Sequence, residues 1–279
     1  MITNALYNVT MNSVTYLAKK NSHPRDKSIT FDEGPHIYTI DGDSDYMSVT
    51  TWNHSHFAHF DADKIIDKMM MGRKWSPANK YWGMTKEEIK KMWEEKGKKA
   101  STAGTKMHYD IECYYNDMEV EIEEDCVEWK YFEKFEEEIC EEKEPYRTEW
   151  MIWDTELKFA GSIDMIYRNP DGTLDIYDWK RSVGIKKDNR WQSALTDCIK
   201  HLPDCNYYHY CLQLNTYKAL LEKNYGEKIK DMYLVCLHPN NENKSYQRIK
   251  VLDLQKEVKD LFDLRKKMLY KELKNEVTE

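Results

Sequence analysis

Asn169-Pro-Asp-Gly172 separates two apolar-rich runs, 157–168 and 173–179. A turn of that composition closes an antiparallel hairpin. A third strand candidate, 147–153, precedes the pair. Helical spacing flanks the three on both sides. Residues 101–116 place Met107, Ile111 and Tyr114 or Tyr115 on one face, and residues 206–224 carry Leu212, Tyr217, Leu220 and Leu221 up to a stop at Gly226. Later strands fall at 230–237 and 246–251, before a charged amphipathic helix over 253–275. The order helix, three strands, helix, strands, helix predicts an α/β fold with a mixed central β-sheet flanked by helices.

The first hundred residues read differently. Ile29-Thr-Phe and His36-Ile-Tyr-Thr-Ile flank Asp32-Glu-Gly-Pro as a hairpin, and a second turn at 41–45 leads into Tyr46-Met-Ser-Val-Thr. Helices are expected at 61–71 and 85–96, the second opened by the capping box Thr85/Glu88. We divide the chain into 1–100, a β-hairpin and helical region packed on the core, and 101–279, the core itself. Residues 181–204 read as a loop with a short helix around Trp191.

The formal charge of −8 argues against nucleic acid until its distribution is considered. Residues 119–144 hold 13 acids against 3 lysines, so the remainder carries a net +2. Val127, Tyr131, Phe135 and Ile139 recur there at four-residue steps, which marks an amphipathic helix with an acidic outer face. Basic residues gather from Arg73 to Lys106 and again from Lys180 to Arg190. The 7 cysteines are odd in number, widely spaced and form no CxxC pair, so neither a disulfide framework nor a zinc knuckle is expected.

The hairpin carries the chemistry. Asp164 ends Gly-Ser-Ile in the first strand, and Asp178-Trp-Lys180 ends the second. Alternation puts Asp178 and Lys180 on one face and Trp179 on the other. Two carboxylates and a lysine at one end of a sheet can bind a divalent metal and hold a water for attack on a phosphodiester. Asp-x-Lys is also a common plain ion pair. His108 and Glu112 share a helix face, where they form either a metal ligand and its orienting acid or a surface pair. Glu149, in the strand before the hairpin, is equally a further carboxylate or a solvent-facing residue. Gln213 and Tyr217 share a face of the next helix, where Tyr217 alone reads as core. Trp75, Tyr81, Trp82 and Trp191 lie near basic residues and suit base stacking, though each singly reads as core packing.

Taken in order, Gly104-Thr-x-x-His108-x-x-Ile-Glu112, Gly161-Ser-Ile-Asp164, Asp178-Trp-Lys180 and Gln213-x-x-x-Tyr217 resemble the RecB-like branch of the PD-(D/E)XK nucleases, which also includes lambda-exonuclease-type enzymes. The motifs span 104–217, nearly half the chain, and the resemblance implies a DNA-engaging role for 1–100, which lies outside them. The resemblance implies a restriction-endonuclease-like αβββαβ core. It also implies His108, Asp164 and Asp178 as ligands of one or two Mg²⁺ or Mn²⁺ ions, with the Trp179 carbonyl a further candidate. Lys180 would be the catalytic lysine, Gln213 and Tyr217 the pair that positions it and the DNA, and Glu149 the acid of the preceding strand. The implied activity is a metal-dependent deoxyribonuclease, an exonuclease on single strands or duplex ends, serving recombination, repair or genome processing. Several relatives hold an iron–sulfur cluster through cysteines near the C-terminus. No cysteine follows Cys236, so no cluster is expected.

Three alternatives stand beside this reading. Some viral cap-snatching RNA endonucleases combine a histidine with the same acids and lysine. The chain could instead be a non-catalytic nucleic-acid-binding module, or a structural protein that docks a partner through the acidic helix at 125–144. No apolar run reaches membrane-span length and no secretory signal layout opens the chain, which points to an intracellular protein, cytoplasmic or nuclear, without a membrane partner. A Lys-, Asn- and Tyr-rich composition suits an AT-rich genome, viral genomes included.

Overall fold

The computed structural model describes residues 15–276. Residues 1–14 of the expected N-terminal region lie outside that range. Three consecutive strands, β4 (Glu144–Asp154), β5 (Phe159–Arg168) and β6 (Leu174–Lys180), form an antiparallel meander. The turn between β5 and β6 closes as its composition demands. Gly172 takes φ +83°, and its N–H donates to the Asn169 carbonyl at 2.9 Å. After β6 the chain crosses over through α6 (Asn206–Asn224) and returns as β7 (Ile229–Cys236), parallel to β6. β8 (Gln247–Lys250) then pairs antiparallel to β7, and α7 (Gln255–Glu276) follows. The sheet is mixed and lies between helical layers, as the element order predicts.

The N-terminal part is tied into this sheet. The short helix α1 (Tyr16–Lys20) is anchored by the Leu17 N–H, which donates to Asn116 Oδ1 at 3.0 Å. β1 (Ile29–Asp32) and β2 (Ile37–Ile40) form the expected hairpin. Tyr46-Met-Ser-Val-Thr, expected as a strand, pairs over two residues only, β3 (Met47–Ser48), parallel to Phe159 and Ala160 of β5. The Ser48 hydroxyl then accepts from the Thr51 N–H and starts α2 (Val49–His54), because a serine in extended backbone caps a helix as readily as it continues a strand.

Helix α3 (Ala62–Met70) leads to α4 (Lys86–Tyr115). The expected pair of helices, 85–96 and 101–116, is this single rod of 30 residues. Its capping box forms, with the Thr85 N–H donating to Glu88 Oε2 at 2.7 Å and the Glu88 N–H to Thr85 Oγ1 at 3.2 Å. Gly97 and Gly104 each weaken a helix by about 1 kcal/mol relative to alanine. The lysines and alanines around them are strong helix formers and carry it through. The division placed at residue 100 therefore falls inside α4.

Two cores sandwich the sheet. One joins Trp150, Ile152, Ile163, Ile166 and Ile176 to Leu214, Tyr217, Leu220 and Leu221 of α6. The other joins Met165, Tyr167, Tyr177 and Trp179 to Met107 and Ile111 of α4 and to Phe132, Phe135 and Ile139 of α5 (Val127–Ile139). The acidic helix thus buries the stripe that its spacing announces. The expected helix around Trp191 is absent among the described residues. Trp191 sits 93% exposed in an irregular segment, and the short helical turn lies at Asp197–Ile199.

Candidate metal centre

Three carboxylates line up across β4, β5 and β6. The β4–β5 ladder pairs Thr148 with Met165 and resumes at Trp150 and Ile163. That register sets Glu149 opposite Asp164, but the pair is skipped and Glu149 takes φ +41°. For a residue with a side chain this conformation costs roughly 1–3 kcal/mol and persists only where the surroundings impose it. The β5–β6 ladder ends at Met165 and Tyr177, one step before Asp164 would meet Asp178. Strand alternation also slips here. Ile163 belongs to the core under α6, whereas Met165 belongs to the core under α4 and α5.

The other edge of β5 shows why there is room. β3 occupies it at Phe159 and Ala160, and β6 from Met165 onward. Among the described residues, none pairs as a strand with 161–164 on that edge. Asp164 Oδ2 instead accepts from the Trp179 N–H at 2.9 Å. Ser162 Oγ donates to Glu149 Oε2 at 2.6 Å.

His108 enters from α4. Its Nε2 lies 3.0 Å from the Trp179 carbonyl oxygen and its Nδ1 3.5 Å from Asp164 Oδ2. A carbonyl oxygen only accepts, so Nε2 carries the proton. His108, Glu149 and Asp164 each offer one ligand atom, all within 4.8 Å of one another. Asp178, expected as a ligand with His108 and Asp164, lies next in the row and forms an ion pair with Lys180. The most compact donor set therefore includes Glu149, which the chain's pattern leaves equally as a solvent-facing residue. Glu149 is a cluster carboxylate, largely withdrawn from solvent.

The electrostatics follow from packing acids together out of water. Burial pushes Glu149 well above the carboxylate range, and the charges of Asp164, Glu112 and Asp178 push it further, against the Ser162 hydrogen bond. Burial raises Asp178 to about 7 despite Lys180. Burial works against the charge on Lys180 too, but Asp178 and Asp164 outweigh it and hold the ammonium above the usual lysine range. Burial lowers His108, opposed by Asp164. Glu112 is raised by burial and adds its charge next to Glu149; among the described residues its carboxylate makes no hydrogen bond to His108. Several acids share one lysine here, and a cation among them would relieve that crowding.

The donor set suits a hard divalent cation, which takes carboxylate, carbonyl and imidazole ligands.

Helix α6 closes the site from the other side. Gln213 Nε2 donates to Tyr217 Oη at 3.3 Å. Tyr217 is buried and presses on β5 at Gly161, where an added Cβ would lie 2.8 Å from its Cε1. Tyr217 is thus both core residue and site wall, and Gly161 of Gly-Ser-Ile-Asp is the glycine that admits it. Three neighbours escaped the reading of the chain. Tyr210, one turn before Gln213, places its ring 4.7 Å from Lys180 Nζ. Ser162 holds Glu149. Tyr38 of β2 is buried, and its hydroxyl is raised by that burial and by Glu149 and Asp164. Tyr210 was detectable, since it lies three residues before Gln213 on the same helix. Nothing local marks Tyr38, which arrives through tertiary packing.

The aromatics proposed for stacking are not core residues. Trp75 and Tyr81 are half-buried, Trp82 is exposed, and the Trp75 and Trp82 rings lie 5.7 Å apart. Among the described residues no helix is long and apolar enough to cross a membrane.

No family model matches the chain, and no curated protein matches it. Among solved structures it is similar to the crystal structure of "Putative exonuclease" from Eubacterium rectale. The two are 11% identical, with a TM-score of 0.42, over 82% of this chain and 80% of that one. The functional reading rests on the chain's own residues.

Proposed function

We propose that this protein is a divalent-metal-dependent nuclease of the PD-(D/E)XK type, an exonuclease that hydrolyses phosphodiester bonds in DNA. The observation that carries the reading is the row Glu149, Asp164, Asp178 across three strands, with His108 above it and Lys180 paired to its end. Mg²⁺ or Mn²⁺ held by His108, Glu149 and Asp164, with Asp178 and the Trp179 carbonyl in reach, would supply Lewis acidity and a water of lowered pKa. The chain's own groups do the rest. Lys180 holds a positive charge beside the scissile phosphate, where charge accumulates during attack. Tyr210 flanks that ammonium, and Gln213 and Tyr217 fix the wall against which the backbone lies. By the resemblance, the products carry a 5′-phosphate and a 3′-hydroxyl, and the setting is recombination, repair or genome processing.

The deciding experiment incubates end-labelled single- and double-stranded DNA and RNA with Mn²⁺, Mg²⁺ or EDTA, using wild type and Lys180→Ala. Metal-dependent loss of DNA that vanishes in the variant supports the reading. Cleavage of RNA alone moves it to a ribonuclease. Binding without cleavage of any substrate replaces it with a non-catalytic module.

A further inference from the structure

Beside the metal centre runs a groove of about 880 Å³ that the reading above does not use. One wall is α4, through Lys96, Lys99, Ala100 and Ala103. The other is the segment after β6, from Arg181 to Lys186, with His238 at the end. Both walls continue elements of the metal centre. α4 carries His108 nine residues beyond Lys99, about 14 Å along the helix. The opposite wall starts at the residue after Lys180.

The lining is specific in its chemistry. Arg181 is tied to Glu128 at 2.7 Å. Lys96, Lys99 and Lys186 enter no ion pair among the described residues and are exposed. Between these cations the surface is small or aliphatic: Ala100, Ala103, Val183, Gly184 and Ile185. In a chain of net charge −8, three unpaired lysines round one apolar trough complement an anionic occupant with an apolar body. A linear polyanion meets both demands, since its phosphates reach the lysines and its sugars and bases cover the aliphatic floor. Continuity with the metal centre sets its course from the cleavage position along α4.

We propose that this groove holds the sugar–phosphate backbone of one unpaired nucleic-acid strand, with Lys96, Lys99 and Lys186 contacting phosphates a few nucleotides from the cleaved bond. This rests on the nuclease reading for its direction but is tested without cleavage. Fluorescence anisotropy in EDTA would follow labelled oligothymidylate, oligouridylate and a blunt DNA duplex over a range of salt concentrations. Single-strand affinity falls with salt with a log–log slope of about −0.7 per phosphate contact. Lys96→Glu/Lys99→Glu is expected to bind oligothymidylate roughly tenfold more weakly at low salt, with a slope shallower by about 1.4. Lys186→Glu alone should flatten it by about 0.7. A control pair with the same spacing on α7, Lys256→Glu/Lys259→Glu, should leave the slope in place.

Loss for oligothymidylate identifies a DNA strand, and loss for oligouridylate alone identifies RNA. An unchanged slope in the groove variants, an equal loss in the control pair, or a loss confined to the duplex overturns the assignment. Wild type that binds in this way yet cleaves nothing with Mn²⁺ removes the nuclease reading and leaves the groove. Wild type that cleaves while the groove variants bind normally removes the groove alone.

Discussion

Glu149 and Asp164 stand opposite one another on neighbouring strands, and the hydrogen-bonded ladder is interrupted at that pair. A fold that needed only stability would place an apolar or oppositely charged pair there, since like charges directly across a sheet weaken it. The positive φ of Glu149 is a second cost at the same position.

Removing the Glu149 carboxyl, whose ionisation burial and Asp164 oppose, should therefore stabilise the metal-free protein. Glu149→Gln is expected to gain up to about 1 kcal/mol in EDTA. It should also lose the stabilisation that metal confers on wild type, about 2.7 kcal/mol at a hundredfold excess over Kd. Thermal melts of both proteins with EDTA and with Mn²⁺ check this. A variant that gains as much from Mn²⁺ as wild type would place the metal elsewhere.

Lys180→Ala should reduce cleavage by roughly a factor of 10² or more. It should also cost about 3–5 kcal/mol of stability, because Asp178 is left buried beside Asp164 without its cation. Asp178→Asn keeps the shape and removes the charge, and should lose activity with a smaller stability change. Denaturant melts run beside the nuclease assay separate the two effects. Activity near wild type in both variants would contradict the assigned roles.

Gly161→Ala places a methyl group 2.8 Å from Tyr217 Cε1. Overpacking of this kind costs about 1–3 kcal/mol. Shortening the partner should relieve it, so Gly161→Ala/Tyr217→Leu should be more stable than the two single changes added together. A double-mutant cycle measures that coupling, and strict additivity would deny the contact.

His56 gives the protein an acid limit apart from the metal centre. Burial lowers its pKa to about 4, from an ordinary value of 6.5. Its Nδ1 meets Thr196 Oγ1 at 2.9 Å, and Nε2 has no hydrogen-bond partner among the described residues. Between those two pH values the unfolded chain holds a proton that the folded chain refuses. This contribution to stability is constant above the unfolded pKa and is lost as pH falls from 6.5 toward 4. Urea melts of wild type and His56→Gln across that window should diverge, with the wild type falling more steeply. Parallel curves would exclude His56.

The fold was legible where periodicity and turn chemistry act locally. The Asn169–Gly172 turn, the cap at Thr85 and the apolar stripe of α5 each specify their element alone. The misreadings came from competition. The gap left between the helices expected at 85–96 and 101–116, which holds Gly97, is carried through by its neighbours' helix propensity. Ser48 ended a strand by capping a helix. At the site, Asp164, Asp178 and Lys180 could be placed together because one hairpin joins them. The position of Glu149 depends on a ladder pair that is skipped with the register unchanged, and Tyr38 reaches the cluster through packing of the N-terminal hairpin. Neither cause leaves a local mark in the chain.

The edge of β5 is fastened at both ends, to β3 at Phe159 and Ala160 and to β6 from Met165 onward, with four residues open between. Asp164 of the candidate cluster lies in this seam, whose stitching lies outside it. An exchange at Asp164 would leave both fastenings whole. The same seam sets a limit: a backbone segment that paired with 161–164 would close the gap.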